Sequence, residues 1–176
     1  MYLGQEKVIL VNEQDEVVGE MEKLEAHQKS LLHRAFSVFV FNSKNQLLLQ
    51  KRDEKKYHSG GLWTNTCCGH PRPDEKTKAA AERRLKEEMG FTVALNKEFK
   101  FIYKAEFENG LTEHELDNVY FGKYEDFPEP NPLEVSDWKY MDWKRVLEDV
   151  KAYPEMYTVW FKICVDKINS LNFVTV

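Results

Sequence analysis

The sequence predicts an α+β fold, a sandwich in which helices flank a mixed β-sheet, built as one domain from residues 1–176. Residues 34–42 alternate with largely apolar side chains on both faces, which is typical of a strand that is covered on both sides. Residues 75–89 are rich in Ala, Glu, Lys and Arg and stop at Gly90, which is typical of a helix with a glycine cap. Asn109-Gly110 is a strong hairpin signal between two strand-like runs. Strands and helices interleaved in this way predict a layered sandwich.

The remaining elements follow in chain order, with turns between them. Strands are predicted at residues 7–11, 34–42, 47–52, 62–68, 99–107, 111–124 and around 138–141. After the helix at 75–89, Asp142 is expected to cap a short helix that begins at Trp143. A last helix is predicted from Pro154. Its apolar residues recur at helical spacing: Met156, Val159, Trp160 and Ile163.

Bulk properties narrow the classes of function. The chain carries 25 Lys and Arg against 30 Asp and Glu, a formal net charge of −5. That balance argues against a general binder of nucleic acid or of membrane surfaces, which is usually basic. No apolar run has the length of a membrane span or of a secretory signal, and three cysteines, two of them adjacent, do not suggest a disulfide framework. We therefore expect a cytoplasmic protein with a small-molecule ligand, as a monomer or weak homodimer.

Residues 69–91 resemble the signature of the Nudix hydrolases, with one departure. The signature positions are Gly69, Glu75, Arg83, Arg84, Leu85, Glu87, Glu88, Gly90 and Phe91. Arg84 departs, because the family has a glutamate there. Positions 84, 87 and 88 share one helix face, and in the hydrolases the carboxylates of this face gather divalent metals around a pyrophosphate. An arginine removes a ligand and adds a bidentate grip for phosphate. The resemblance implies a Nudix-like fold that binds diphosphate, with Mg²⁺ at Glu88, but hydrolyses it poorly.

A second resemblance is more specific and covers nearly the whole chain. Residues 64–71 (Thr-Asn-Thr-Cys-Cys-Gly-His-Pro) and the run Glu113-His114-Glu115 are similar to two segments of the type I isopentenyl-diphosphate isomerases. The resemblance implies conversion of isopentenyl diphosphate, a homoallylic diphosphate, into allylic dimethylallyl diphosphate, in isoprenoid biosynthesis. Protonation of the alkene gives a carbocation, and loss of another proton gives the isomer, so an acid and a base are needed on opposite faces. By resemblance, Cys68 serves one face, and Glu115 with Tyr103 as proton relay serves the other.

A metal site is predicted from the paired glutamates and from the resemblance. Glu113 and Glu115 lie two apart on a predicted strand, so both carboxylates point to one face. The resemblance adds His27, His33 and His70 as ligands. Three imidazoles and two carboxylates suit a Zn²⁺- or Mn²⁺-type ion better than Mg²⁺. We therefore expect one such ion in addition to the Mg²⁺ that arrives with the diphosphate.

Several histidines and cysteines are expected to have structural roles only. His58 and His114 are expected to be ordinary surface or core histidines. The resemblance makes Cys68, which directly precedes Gly69-His70, the catalytic cysteine, whereas Cys67 faces away from it if the segment is extended. Free cysteines are usually small core residues. We therefore expect Cys67 and Cys164 to be core thiols.

The two ends of the substrate need different surroundings. Four cations are candidates for the diphosphate end: Lys23, Arg52, Lys56 and Arg84. The carbocation is stabilised by aromatic faces, worth about 2 kcal/mol when desolvated, and the candidates are Trp160 and Trp63. The alternative for Trp160 is an ordinary core position on the last helix. Lys51 and Lys55 are expected to face solvent.

Two other functions fit parts of the pattern. A Nudix hydrolase of a diphosphate-containing metabolite is disfavoured by Arg84, and by a Cys-Gly-His and Glu-x-Glu set that such hydrolases do not need. A non-catalytic binding module has no use for the acid–base set of Cys68, Glu115 and Tyr103. The isomerase is therefore the predicted function, and the hydrolase is the alternative.

Overall fold

A computed structural model describes residues 6–56, 58–107, 109–172 and 174, and it confirms the predicted α+β sandwich with a mixed sheet. Within these ranges the strands are β1 (Lys7–Val11), β2 (Val17–Glu22), β3 (His33–Phe41), β4 (Gln46–Arg52), β5 (Trp63–Thr64), β6 (Cys67–Gly69), β7 (Asn96–Glu106), β8 (Thr112–Lys123) and β9 (Val135–Asp142). The α-helices described there are α1 (Lys23–Gln28), α2 (Thr77–Met89), α3 (Trp143–Ala152) and α4 (Val159–Ser170).

Strand β3 organises the sheet. It pairs in parallel with β8, so that His33 lies opposite Glu115, and it pairs antiparallel with β6, so that Ser37 lies opposite Cys68. Strand β8 also pairs with β7 in the hairpin that the Asn-Gly signal predicts. Strand β4 continues the sheet through β9 and β5. Parallel and antiparallel neighbours therefore meet on one strand, and this brings residues from distant parts of the chain side by side.

The two faces of β3 belong to two separate apolar cores. Phe39 and Phe41 pack into the core that α3 and α4 cover. Phe36, Val38 and Val40 point the other way and pack into the core that α2 covers. The predicted alternation is confirmed, and it explains why both faces of this strand are apolar.

Residues 62–68 form two short strands instead of the single extended segment that was predicted. Asn65 and Thr66, between the two strands, are fully buried, and their side chains bond to backbone groups of neighbouring segments. The Thr66 hydroxyl donates to the Leu48 carbonyl at 2.6 Å and accepts from the Val40 amide at 2.9 Å. The Asn65 side-chain amide donates to the Cys67 carbonyl at 2.6 Å. Polar side chains that bond to backbone in this way compete with regular structure, and here they fix the cysteine strand against β3.

The helix predicted from Pro154 is interrupted, which corrects the prediction. A short 3-10 turn covers Pro154–Met156, and α4 begins only at Val159. Between the two, Tyr157 is extended because its backbone forms a β-bridge with Trp63. Met156 is therefore 44% exposed and does not belong to the apolar face of α4.

Two elements lie where no element was predicted. Strand β2 pairs antiparallel with β1 along its length, although much of it is exposed. Helix α1 follows, and the Glu22 side chain caps it by accepting from the Glu25 amide at 3.2 Å. Six residues are too few for a helical period to be readable. Across the described ranges, the helices lack the combined length and apolar character that a bilayer crossing requires.

Candidate active site

A cavity of about 800 Å³ is lined by residues of β3, β6, β7, β8, α2 and α4. Its walls combine side chains that are far apart in the sequence. The candidate site residues that line it are Lys23, Arg52, Lys56, Cys68, His70, Arg84, Glu88, Tyr103, Glu113, Glu115 and Trp160. The fold therefore gathers most of the residues that the sequence analysis selected around one open cavity.

Four of the five predicted metal ligands form one buried group. Ligand atoms of His27, His33, His70 and Glu115 all lie within 4.8 Å of one another. His70 Nε2 lies 2.9 Å from a carboxylate oxygen of Glu115. His33 lies beside Glu115 because the two residues are partners in the parallel β3–β8 ladder. Helix α1, strand β3, the segment after β6 and strand β8 thus each contribute one side chain.

The donor atoms of this group fit a divalent cation. His33 Nδ1 lies 2.8 Å from the Leu31 carbonyl, so we assign the hydrogen to that nitrogen, and Nε2 directs a lone pair into the group. That Nε2 lies 3.2 Å from His27 Nε2 and 3.5 Å from the Glu115 carboxylate. Burial, together with the neighbouring histidines, lowers the pKa of His27 to about 2, and burial also lowers the pKa of His70. Neutral imidazoles that converge on a carboxylate are ligand chemistry for a divalent metal.

Glu113, the fifth predicted ligand, lies next to this group and has other partners. Its carboxyl group lies 3.3 Å from His58 Nε2 and 3.0 Å from the Tyr103 hydroxyl oxygen. Burial and the negative charge of Glu115 raise the pKa of Glu113. His58, expected from the sequence to be structural, lines the cavity and stacks on Phe107 with ring centroids 5.0 Å apart. No spacing rule pointed to His58, because it lies in the loop after β4 and its neighbours come from distant strands and helices.

The Tyr103 hydroxyl lies between the carboxyl groups of Glu113 and Glu115. It donates to the Glu115 carboxylate at 2.7 Å, in addition to its bond with Glu113. Burial and the nearby carboxylates raise the pKa of Tyr103 well above its usual value, so the phenol keeps its proton. A neutral phenol between two carboxylates can pass a proton from one oxygen to the next.

Cys68 and Cys67 point to opposite sides of β6. Cys67 is fully buried in the core under α2, while Cys68 lines the cavity. Burial raises the pKa of Cys68 to about 12, although the charge of Arg52 acts in the opposite direction. Cys68 is therefore a neutral thiol that can give up a proton only to a strong acceptor. Cys164 is buried on α4, as expected.

Two of the predicted cations for the diphosphate, Lys56 and Arg84, are already engaged with carboxylates. Arg84 donates to Glu88 and lies 3.5 Å from Glu134, and Lys56 also contacts Glu134. Glu88 is buried and accepts from the Gln50 side chain at 2.8 Å. Neither Gln50 nor Glu134 was selected from the sequence, because nothing in the local pattern distinguishes them from ordinary polar residues.

Lys23 and Arg52 complete the positive lining. The Lys23 ammonium lies 3.1 Å from the Glu6 carboxylate. Arg52 donates to the His58 carbonyl at 3.3 Å, and its guanidinium lies 5.1 Å from the centre of the Trp160 ring. Lys55 is exposed and lies at the edge of the cavity, so its expected position toward solvent is borne out.

The two tryptophans are in different places. Trp160 is buried in the core and also lines the cavity, so its position is compatible with either role considered for it. Trp63 does not reach the described lining of the cavity, which corrects the expectation that it offers a face to the substrate. Its ring belongs to the core beside α4, and the Lys139 ammonium covers it at 4.1 Å. The β4–β9 pairing places Lys139 over this ring, which a local pattern does not reveal.

A further buried carboxyl lies beside the cavity. Asp117 is two residues after Glu115 on the same face of β8, and its Oδ2 accepts from the Ser37 hydroxyl at 2.8 Å. Burial, together with the charge of Glu115, raises the pKa of Asp117 to about 7. The spacing of 113, 115 and 117 could have suggested this residue, since all three share one strand face.

The fold, together with the Nudix-like signature that includes α2, defines the class of protein. A model of the NUDIX domain matches residues 31–161. The crystal structure of DR0079 from Deinococcus radiodurans has a TM-score of 0.77 at 21% identity and covers 92% of this chain and 98% of that one. The MutT protein of Methanosarcina mazei Go1 has a TM-score of 0.66 at 18% identity, over 80% and 95% of the two chains. At such identities the similarity concerns the fold alone.

Sequence relatives define the family within this class. Isopentenyl-diphosphate Delta-isomerase 2 of Aromatoleum aromaticum is 50% identical over 166 residues, which cover 94% of this chain and 88% of the relative. The isopentenyl-diphosphate Delta-isomerase of Pectobacterium atrosepticum is 51% identical over 162 residues, with 92% and 90% covered. The chain therefore belongs to the isopentenyl-diphosphate Delta-isomerase family, and the resemblance inferred from its motifs is confirmed.

Proposed function

We propose that the chain interconverts isopentenyl diphosphate and dimethylallyl diphosphate, in the isoprenoid pathway of the cytoplasm. One observation carries the proposal: a thiol, Cys68, and a phenol–carboxylate pair, Tyr103 with Glu115, line the same cavity as a group of cations. The names of the relatives support the same reaction. A hydrolase needs no such acid–base set, and Arg84 occupies a position where hydrolases have a metal-binding carboxylate.

The chemistry requires a proton donor and a proton acceptor around the five-carbon chain. An alkene is a very weak base, so protonation needs a positioned acid in a site that excludes water, which would otherwise trap the cation. Tyr103 can deliver a proton from the carboxylate pair of Glu113 and Glu115. Cys68 takes up the proton that leaves the carbocation on the other side of the substrate. It does so as the thiolate, so the neutral thiol of the ligand-free protein must first lose its proton, which the charge of Arg52 favours. The indole face of Trp160 stabilises the positive charge that develops between them.

We assign one Mn²⁺- or Zn²⁺-type ion to the site. His27, His33, His70 and Glu115 would hold it, with Glu113 as a fifth ligand. When bound, such an ion would supply positive charge that orients the carboxylates and makes the proton held by the pair more acidic. A separate Mg²⁺ is expected to enter with the diphosphate and to meet Glu88, because oxygen ligands suit that ion.

The test is an assay with isopentenyl diphosphate, Mg²⁺ and Mn²⁺ or Zn²⁺, in which dimethylallyl diphosphate and inorganic phosphate are both measured. The proposal expects the isomer without phosphate. Release of phosphate without the isomer would identify the alternative hydrolase, and absence of both products would identify a binding module. Glu115→Gln serves as the matched inactive control, because it removes one charge from the proton path and keeps the shape of the side chain.

A further inference from the structure

Glu134 lies at the diphosphate end of the cavity, between two of its cations. Its Oε2 contacts the Lys56 ammonium and lies 3.5 Å from the Arg84 guanidinium. The Glu134 side chain is 6% exposed, so this carboxylate is almost removed from water. By contrast, Glu87, the outer partner of Arg84, is 39% exposed. A buried carboxylate shared by two cations is much more strongly coupled to them than a solvated one.

The backbone holds Glu134 in this position. The segment before it is docked on the end of α2, where the Glu129 amide donates to the Met89 carbonyl at 3.2 Å and the Asn131 amide donates to the Glu88 carbonyl at 2.9 Å. On the other side, the Asp53 amide donates to the Glu134 carbonyl at 3.0 Å. The carboxylate is thus held between α2 and the loop that carries Lys56.

This arrangement has a consequence for an anion that enters the cavity. Under the proposed function, Lys56 and Arg84 bind the substrate diphosphate, and both already contact Glu134. A diphosphate and the Glu134 carboxylate are like charges that compete for the same donors. Without Glu134, two partly buried cations would lose a close counter-ion in the ligand-free protein, although Arg84 would keep Glu87 and Glu88.

We propose that Glu134 is an internal counter-ion that holds Lys56 and Arg84 in place before the substrate arrives and yields them to the diphosphate on binding. This inference rests on the proposed function, since it concerns the same site. Glu134 is a positioning residue that acts through the two cations. It weakens diphosphate binding, and by taking back the cations it speeds the release of the product.

The test is binding of inorganic pyrophosphate with Mg²⁺ by calorimetry, which needs no turnover. Glu134→Gln keeps the shape of the side chain and removes the competing charge, so we expect a Kd roughly five- to tenfold lower than that of the unaltered protein. Glu129→Gln removes the same charge from an exposed position on the same loop and should leave the Kd unchanged. An unchanged or higher Kd in Glu134→Gln overturns the inference.

Steady-state kinetics give a second readout that a purely structural role would not produce. Glu134→Gln should lower KM for isopentenyl diphosphate and also lower kcat, because the product leaves more slowly. If the single variant does not fold, Lys56→Gln/Glu134→Gln is compared with Lys56→Gln, and tighter pyrophosphate binding by the double variant is expected. Equal binding by the two overturns the inference. A protein that binds pyrophosphate but does not isomerise the substrate would contradict the proposed function and leave this test intact.

Discussion

The Tyr103 hydroxyl lies 2.7 Å from the Glu115 carboxylate because the two residues are direct partners in the antiparallel β7–β8 ladder. Side chains of such partners lie on the same face of the sheet. Glu113 lies two residues earlier on that face and shares the same hydroxyl at 3.0 Å. The hairpin therefore builds the phenol–carboxylate set by register alone, without help from a loop.

We predict that Tyr103→Phe lowers isomerase turnover by about two to four orders of magnitude, because the relay between carboxylate and substrate loses its hydroxyl. The variant should keep its metal content, since Tyr103 is not a proposed ligand. Initial rates and metal analysis check both points. Tyr140→Phe is the control, because the Tyr140 hydroxyl bonds to backbone carbonyls at 3.1–3.2 Å and does not contact the described site residues. Turnover near normal in Tyr103→Phe would contradict the relay.

The two adjacent cysteines give a matched pair of variants. Cys68→Ala should reduce turnover by about two to four orders of magnitude with the fold intact, because one face of the alkene loses its proton carrier. Cys67→Ala should retain activity and lose about 1 kcal/mol of stability, since a fully buried side chain is shortened. Rates and thermal unfolding of both variants are the measurements. The opposite pattern, with Cys67→Ala inactive, would show that the assigned register of the strand is wrong.

Removal of the tight metal should abolish activity, and Mn²⁺ or Zn²⁺ should restore it where Mg²⁺ alone does not. A ligand at 100 times its Kd raises the free energy of unfolding by about 2.7 kcal/mol, so metal should also raise the melting temperature of chelator-treated protein. His33→Ala should lose that rise. His114→Ala should keep it, because His114 Nδ1 lies 3.0 Å from the Ser30 carbonyl instead. Full recovery with Mg²⁺ alone would contradict the assignment of two different metal sites.

Asp117 gives a prediction about pH. Its pKa in the folded chain is about 7 against an ordinary 3.8, so between these values the folded state holds a proton that the unfolded state has lost. The free energy of unfolding therefore falls as pH rises through this window and then levels off. Asp117→Asn should stabilise chelator-treated protein at about pH 8 and make little difference at about pH 4. Melting temperatures across this range are the check, and a gain of equal size at both ends would refute a titrating Asp117.

Arg84 distinguishes this chain from the hydrolases of its class. Arg84→Ala should raise KM for isopentenyl diphosphate by roughly one to two orders of magnitude and lower kcat less, because a charge-assisted contact worth about 1.5–3 kcal/mol is lost at the unreacting end of the substrate. Arg84→Glu should abolish isomerisation by repelling the diphosphate.

Arg83→Ala is the neighbouring control for Arg84. The Arg83 side chain bonds to Glu75 at 2.7 Å and is not among the described residues that line the cavity. The KM of Arg83→Ala for isopentenyl diphosphate should stay near that of the unaltered protein. Steady-state kinetics with phosphate release followed in parallel measure all three variants. An unchanged KM in Arg84→Ala would show that this face of α2 does not meet the diphosphate.

The sequence by itself determined the features that depend on local periodicity. The alternation in β3, the glycine that ends α2, and the Asn-Gly turn between β7 and β8 are all local, and the structure bears them out. The common face of Glu113 and Glu115 follows from the two-residue period of a strand. The opposite directions of Cys67 and Cys68 follow from the same period, and the resemblance to the isomerase segment indicated which of the two thiols faces the site.

Only the tertiary structure decided which distant residues meet. His33 lies beside Glu115 because β3 and β8 pair in parallel across a long stretch of chain, and no local spacing encodes that register. Glu134 reaches Lys56 because its loop is docked on α2, and Trp63 lies in the core, where β9 brings Lys139 over its ring. The physical reason is common to all of these. Local patterns specify the direction of a side chain relative to its own strand or helix, whereas its partners depend on how those elements pack.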